Sequence, residues 1–225
     1  MVRKYLLHIA LCVGAAASSF GTSSCINDPV HNSAVNALGD ETPGYPEESQ
    51  YHRPGQPCTT CHWTQGPGSN KFVLAGTVFW GQCNITDQEA LNPAIVKAKC
   101  DRQPVDRAEV RVLASKGGAK CFYTNCAGNF FVREDEWNGL TYPLLVSVSK
   151  KLSTGQYKVA KMSGHIGREP SCSNCHDNPA RAVSPGQVYL YEYNEKGELA
   201  LPAEAKALKC PPEAPNTDPP KECDL

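Results

Sequence analysis

A chain of 225 residues suits one domain with attached segments. Its formal charge of −1, from 22 Lys and Arg against 23 Asp and Glu, excludes a protein built mainly to grip nucleic acid, which needs a basic surface. Eighteen Pro and eighteen Gly leave little room for long amphipathic helices, so short strands, turns and extended loops are expected.

Residues 1–24 read as an export signal. Arg3 and Lys4 form the charged start, the apolar run Tyr5 to Ala17 follows, and small residues continue through Ser24. The run is too short to span a bilayer comfortably as a mature helix. Thr22-Ser23-Ser24-Cys25 resembles a bacterial lipoprotein processing site, in which Cys25 becomes the lipidated first residue. An aliphatic residue is usual where Thr22 stands, and cleavage after Ala17 or Ser19 is the alternative. Lipidation would anchor the protein on a membrane surface, not through it. The expected location is periplasmic, or the outer membrane or cell surface of a bacterium.

Residues 25–71 form the next segment. Asp28 suits a helix N-cap, Pro29 the first helical position, and Gly39 the residue past the end. On that helix His31, Val35 and Leu38 share one face. His52 follows in Tyr51-His52-Arg53-Pro54-Gly55, six residues before Cys58. Then comes the first Cys-x-x-Cys-His: Cys58-Thr59-Thr60-Cys61-His62.

Residues 72–162 read as β. The expected strands are 72–79, 108–114, 119–124, 128–132, 143–150 and 156–161, with a further one at 187–192. Alternation is plain in Ala108-Glu109-Val110-Arg111-Val112 and Leu145-Val146-Ser147-Val148-Ser149. A Cys-bracketed insertion at 80–104 has room for a short helix. Residues 163–192 carry the second motif, Cys172-Ser173-Asn174-Cys175-His176, and the last strand. Residues 193–225 are a Pro-rich tail unable to bury a core of its own.

The chain has twelve Cys. Cys12 leaves with the signal, and the two motifs use Cys58, Cys61, Cys172 and Cys175. If Cys25 carries lipid, Cys83, Cys100, Cys121, Cys126, Cys210 and Cys223 remain, an even set for disulfides in an oxidising compartment. Sequence proximity pairs Cys83 with Cys100, Cys121 with Cys126 and Cys210 with Cys223.

Cys-x-x-Cys-His is the attachment sequence for c-type haem. Two thiols reach the two vinyl groups of one porphyrin, and the following imidazole becomes the proximal ligand of the iron. The competing chemistry is a zinc site assembled from both copies. The two motifs resemble those of multihaem c-type cytochromes, over the motif segments alone. The resemblance implies two covalent haems, with iron on His62 and His176 and thioethers at Cys58, Cys61, Cys172 and Cys175. The sixth ligand would come from His31, His52, His165 or Met162, and His165 is favoured over Met162 because imidazole is the commoner distal ligand in such chains. Arg53 is a candidate partner for a haem propionate.

The order of strand signals over 72–161, with Thr124-Asn125-Cys126-Ala127-Gly128-Asn129-Phe130 and Tyr142-Pro143 between strands, resembles carboxypeptidase-regulatory-like, or transthyretin-like, domains. The fold expected is mainly β: an Ig-like or transthyretin-like β-sandwich of about seven strands, with haem-binding loops and short helices. Both motifs precede odd-numbered strands, the first and the seventh. If strands alternate in direction, the two motifs then lie at one end of the sandwich. The expected function is electron transfer between redox protein partners outside the cytoplasm, as a carrier more than an enzyme. The alternatives are a binding or surface-assembly module with structural or sensory haems, and a peroxidase-like haem enzyme with an open axial position.

Overall fold

The computed structural model describes residues 29–41, 44–45, 48–83, 85–92, 94–95, 103–116, 118–176, 184–206, 210 and 221–223. The expected signal segment, the lipidation residue Cys25 and the disulfide candidate Cys100 lie outside the described residues. The chain divides into two compact units, Met1–Gly39 and Asp40–Leu225.

In the first unit, helix α1 spans Pro29–Ala37. Pro29 opens it, where its missing N–H costs nothing. Gly39, at φ 69°, follows it in the left-handed region that a glycine enters without strain. His31, Val35 and Leu38 are its partly buried positions, and the rest is exposed. The 3.6-residue periodicity therefore located the covered face.

In the second unit the strands are β1 (Phe72–Gly81), β2 (Glu109–Ala114), β3 (Ala119–Tyr123), β4 (Asn129–Arg133), β5 (Leu144–Lys151), β6 (Tyr157–Lys161), β7 (Val188–Tyr191) and β8 (Lys221–Glu222). One sheet has the order β4-β1-β7, the other β6-β5-β2-β3-β8. The architecture is a mainly β, sandwich-like pair of sheets. All seven expected strands form, each end within two residues of its expected place. The insertion holds α2 (Asp87–Ala90), whose start is closed by a capping box between Thr86 and Glu89.

One hydrophobic core joins the inner faces of both sheets. Leu74, Val78 and Trp80 of β1, Phe130 and Val132 of β4 and Leu190 of β7 meet Val110, Val112 and Ala114 of β2, Phe122 of β3, and Leu144 and Val148 of β5. Alternation does the sorting: on β2, Val110 and Val112 are buried while Leu113 between them and Ala114 is 46% exposed. β1 differs, because it is buried continuously from Leu74 to Trp80. It is the central strand of its sheet, paired antiparallel to β4 and parallel to β7, and both its faces are covered.

Two disulfides correct the pairings expected from proximity for Cys121, Cys126, Cys210 and Cys223. Cys121 bonds Cys223, and Cys126 bonds Cys210. Neither the 121–126 nor the 210–223 bridge exists. β3 runs extended through Tyr123 after Cys121, and a strand advances about 3.3 Å per residue. By Tyr123 the chain is about 6.6 Å from Cys121, already near the roughly 6.8 Å limit between bridged Cα atoms, with Cys126 three residues further on. Both bonds instead tie the Pro-rich tail to β3 and the turn after it. There the tail adds a short strand not expected from sequence, β8, with Lys221 opposite Cys121 and Glu222 opposite Lys120. Cys83 is also disulfide-bonded. Bridges of this kind form in oxidising compartments. Among the described residues no helix is long and apolar enough to cross a membrane.

Candidate functional site

The two Cys-x-x-Cys-His segments fold into the same turn. Each begins from an extended residue, Pro57 at φ −73° and Ser171 at φ −107°, and closes a single 3₁₀ turn, Cys58–Thr60 and Cys172–Asn174. In the first, the N–H groups of Cys61 and His62 both donate to the Cys58 carbonyl, at 3.2 and 2.9 Å. In the second, those of Cys175 and His176 donate to the Cys172 carbonyl, at 3.2 and 2.8 Å. Two remote segments thus hold two thiols and an imidazole on matching backbone frames.

The histidines are oriented alike. His62 Nδ1–H donates to the Asn70 carbonyl at 2.8 Å, and His176 Nδ1–H donates to the Gly186 carbonyl at 2.8 Å. A hydrogen bond to a carbonyl requires the proton on Nδ1, so Nε2 carries the lone pair. This arrangement sets the tautomer and ring direction of metal-ligating histidines. Both acceptors are main-chain atoms, which no residue pattern advertises.

Glycines clear the space. A Cβ on Gly68 would stand 2.6 Å from His62 Nδ1, and one on Gly66 would stand 2.2 Å from the Cys61 carbonyl oxygen. The loop after the first motif can therefore fold flat against it. Lys71 Nζ fastens that loop by donating to the Gly66 and Gly68 carbonyls at 2.9 and 2.7 Å. At the second motif a Cβ on Gly76 of β1 would stand 2.8 Å from Cys172 Sγ. A glycine inside a strand is a signal of such a close approach.

Both motifs lean on β1. The Ala75 N–H donates to the Pro170 carbonyl at 2.8 Å, and Ala75 pairs with Ser171 in parallel register just before Cys172. Gly55 N–H, just before the first motif, donates to Thr77 Oγ1 at 2.8 Å. β7 runs parallel to β1, so the strands that follow the two motifs start at the same end of their sheet, as strand alternation suggested.

A buried polar network holds the lead-in to the first motif. Thr77 Oγ1 donates to Asn129 Oδ1 at 2.7 Å across the β1–β4 pair, and Asn129 Nδ2 donates to the His52 carbonyl at 3.1 Å. Asn125 Nδ2 adds a bond to the Gln50 carbonyl at 2.8 Å. Thr77 and Asn129 are both nearly inaccessible. Asn129→Ala is expected to lower stability by about 1–3 kcal/mol, because Thr77 and the 50–52 carbonyls lose a buried partner. Protease cleavage near residues 48–56 should rise in parallel. An unchanged denaturation midpoint and cleavage pattern would remove this network from the account.

The distal candidates are scattered. His52 lies beside the first motif, its ring centre 5.8 Å from that of His62, and Phe72 stacks on His62 at 4.2 Å. His165 is exposed, and Met162 is 38% exposed. Both lie on the segment that extends the β5–β6 edge, where the Met162 N–H donates to the Val146 carbonyl. His31 belongs to the first unit. Arg53 pairs with Glu41 at 2.9 Å and donates to Gln56 Oε1 at 2.8 Å.

The four motif cysteines are free thiols, while Cys83, Cys121, Cys126, Cys210 and Cys223 are all oxidised to disulfides. Burial pushes the Cys58 thiol up to about 11. Burial pushes Cys172 up to about 12, and the nearby Cys58 adds to the shift. Burial raises Cys61 as well, against the lowering influence of Arg53. His62 is lowered, by burial first and then by His52 and Lys71, against its bond to the Asn70 carbonyl. A zinc site needs three or four converging donors, and among the described residues no three His, Cys, Asp or Glu side chains gather in that way. Each motif presents a pair of thiols and one oriented imidazole, which is the donor set that c-type haem attachment uses. No protein-family model, curated protein or solved structure matches the chain.

Proposed function

We propose that the chain is an exported c-type cytochrome that carries two covalent haems and passes electrons between redox protein partners. One observation carries this reading. The same turn is built twice, each with free thiols and each with a histidine whose Nδ1–H is spent on a main-chain carbonyl. Cys58 and Cys61 would form the thioethers of one haem and His62 its proximal ligand. Cys172, Cys175 and His176 would do the same for the other. When bound, the irons supply one-electron exchange between Fe(III) and Fe(II). The protein's part is to orient each imidazole and to keep both attachment turns against one strand, which favours transfer between them.

The export signal, the disulfides and Cys25 together support a periplasmic or surface lipoprotein. The test is expression of the full chain in a bacterium that attaches c-type haem. A pyridine haemochrome assay and intact mass should give two haems per chain, with lipid on Cys25. Colourless protein, or protein holding zinc in the same cysteines, would overturn the reading.

A further inference from the structure

We infer that His52 is the second axial ligand of the iron held by His62. This rests on the dihaem reading above.

Three observations carry it. The first is spacing. A metal–imidazole nitrogen bond is about 2 Å, and the nitrogen lies about 1 Å from its ring centre. Two imidazoles on opposite sides of one iron therefore have centres roughly 6 Å apart. The His52 and His62 ring centres are 5.8 Å apart, with planes tilted by 36°. Stacked rings would sit closer, as His62 and Phe72 do at 4.2 Å.

The second is orientation. His52 Nδ1–H donates to the Ser49 carbonyl, so its Nε2 is the lone-pair nitrogen. His62 has the same tautomer through Asn70. The pair thus offers two Nε2 donors, each fixed by a main-chain acceptor, as metal-ligating histidines require.

The third is anchorage. Tyr51, just before His52, is buried. The His52 carbonyl accepts from Asn129 of β4, and the Gly55 N–H donates to Thr77 of β1. Arg53 takes φ 50°, a left-handed conformation uncommon for a residue with a Cβ, and its side chain is tied to Glu41 and Gln56. The loop is thus held to β1, on which the motif also leans, and to β4 beside it. A ligand on it meets the iron without ordering a free loop first.

The experiment uses the full haem-loaded chain and His52→Ala. Haem content should stay at two per chain. One haem of the two should leave the low-spin population, bind carbon monoxide when reduced, and return to low spin on adding imidazole. His52→Met should keep that haem low-spin and raise its potential, since methionine in place of histidine favours the ferrous state. Two low-spin haems that ignore carbon monoxide in His52→Ala, or an unchanged potential in His52→Met, would overturn the assignment. A chain with no haem in the unsubstituted protein would instead overturn the dihaem reading. If His52→Ala does not fold, the His52→Met potential decides.

Discussion

Replacing Cys58 and Cys61 together by alanine should leave one haem per chain instead of two, with the sandwich intact. The first turn survives the change because its hydrogen bonds are main-chain: His62 N–H to the Cys58 carbonyl, and Phe72 N–H to the His62 carbonyl. Neither thiol belongs to the core that joins the sheets. The matching change at Cys172 and Cys175 should also remove one haem, but at a larger structural cost. Cys172 packs against the core, beside Gly76 and Phe130. Deleting its sulfur leaves a void worth roughly 1 kcal/mol, whereas Cys175 is exposed and costs little. Intact mass gives the haem count, and thermal melts give the asymmetry. A folded variant that still holds two haems, or has lost both, contradicts the independence of the two sites.

Removing the Cys121–Cys223 bond, with serine at both positions, should lower stability by about 2–5 kcal/mol. At roughly 2–4 °C per kcal/mol for a domain of this size, Tm falls by about 10 °C. Because Cys126–Cys210 already bridges 84 of the 102 residues between them, the bond closes a further loop of about 18 residues in the unfolded chain, worth about 3 kcal/mol. It also does what β8 cannot do alone. That strand has two residues and two register pairs with β3, too few to hold a Pro-rich tail to a sheet edge. Cys126–Cys210, across 84 residues, acts on the same tail. Each single removal should therefore leave the tail attached, and both together should free it to proteases. An unchanged melting temperature would mean that the bridge is incidental to the fold.

The features legible in the sequence are those set by neighbouring residues. Short β-branched and aromatic runs between turn signals located the seven expected strands, and period-two alternation marked β2 and β5, where side chains alternate between core and solvent. Pro29 and Gly39 bounded α1, and the helical period chose His31, Val35 and Leu38 as its covered face. The two Cys-x-x-Cys-His segments are legible from their spacing, and each closes one turn by main-chain bonds.

Other features came from contacts between distant parts of the chain. Strand parity suggested that both motifs share an end, but the parallel β1–β7 pair and the seat of Cys172 on Gly76 are results of sheet assembly. The partners of Cys121 and Cys126 went against proximity, because an extended strand parts near neighbours while sheet pairing brings Lys221 beside Cys121. His52 had no more sequence signal than His31 or His165. Its place near His62 depends on Thr77 and Asn129, 25 and 77 positions further along. Local propensity and residue spacing thus wrote the strands and the two Cys-x-x-Cys-His motifs into the sequence. Tertiary packing chose which cysteines pair and which histidine faces the first site, because those contacts exist only once long loops have closed and the two sheets share a core.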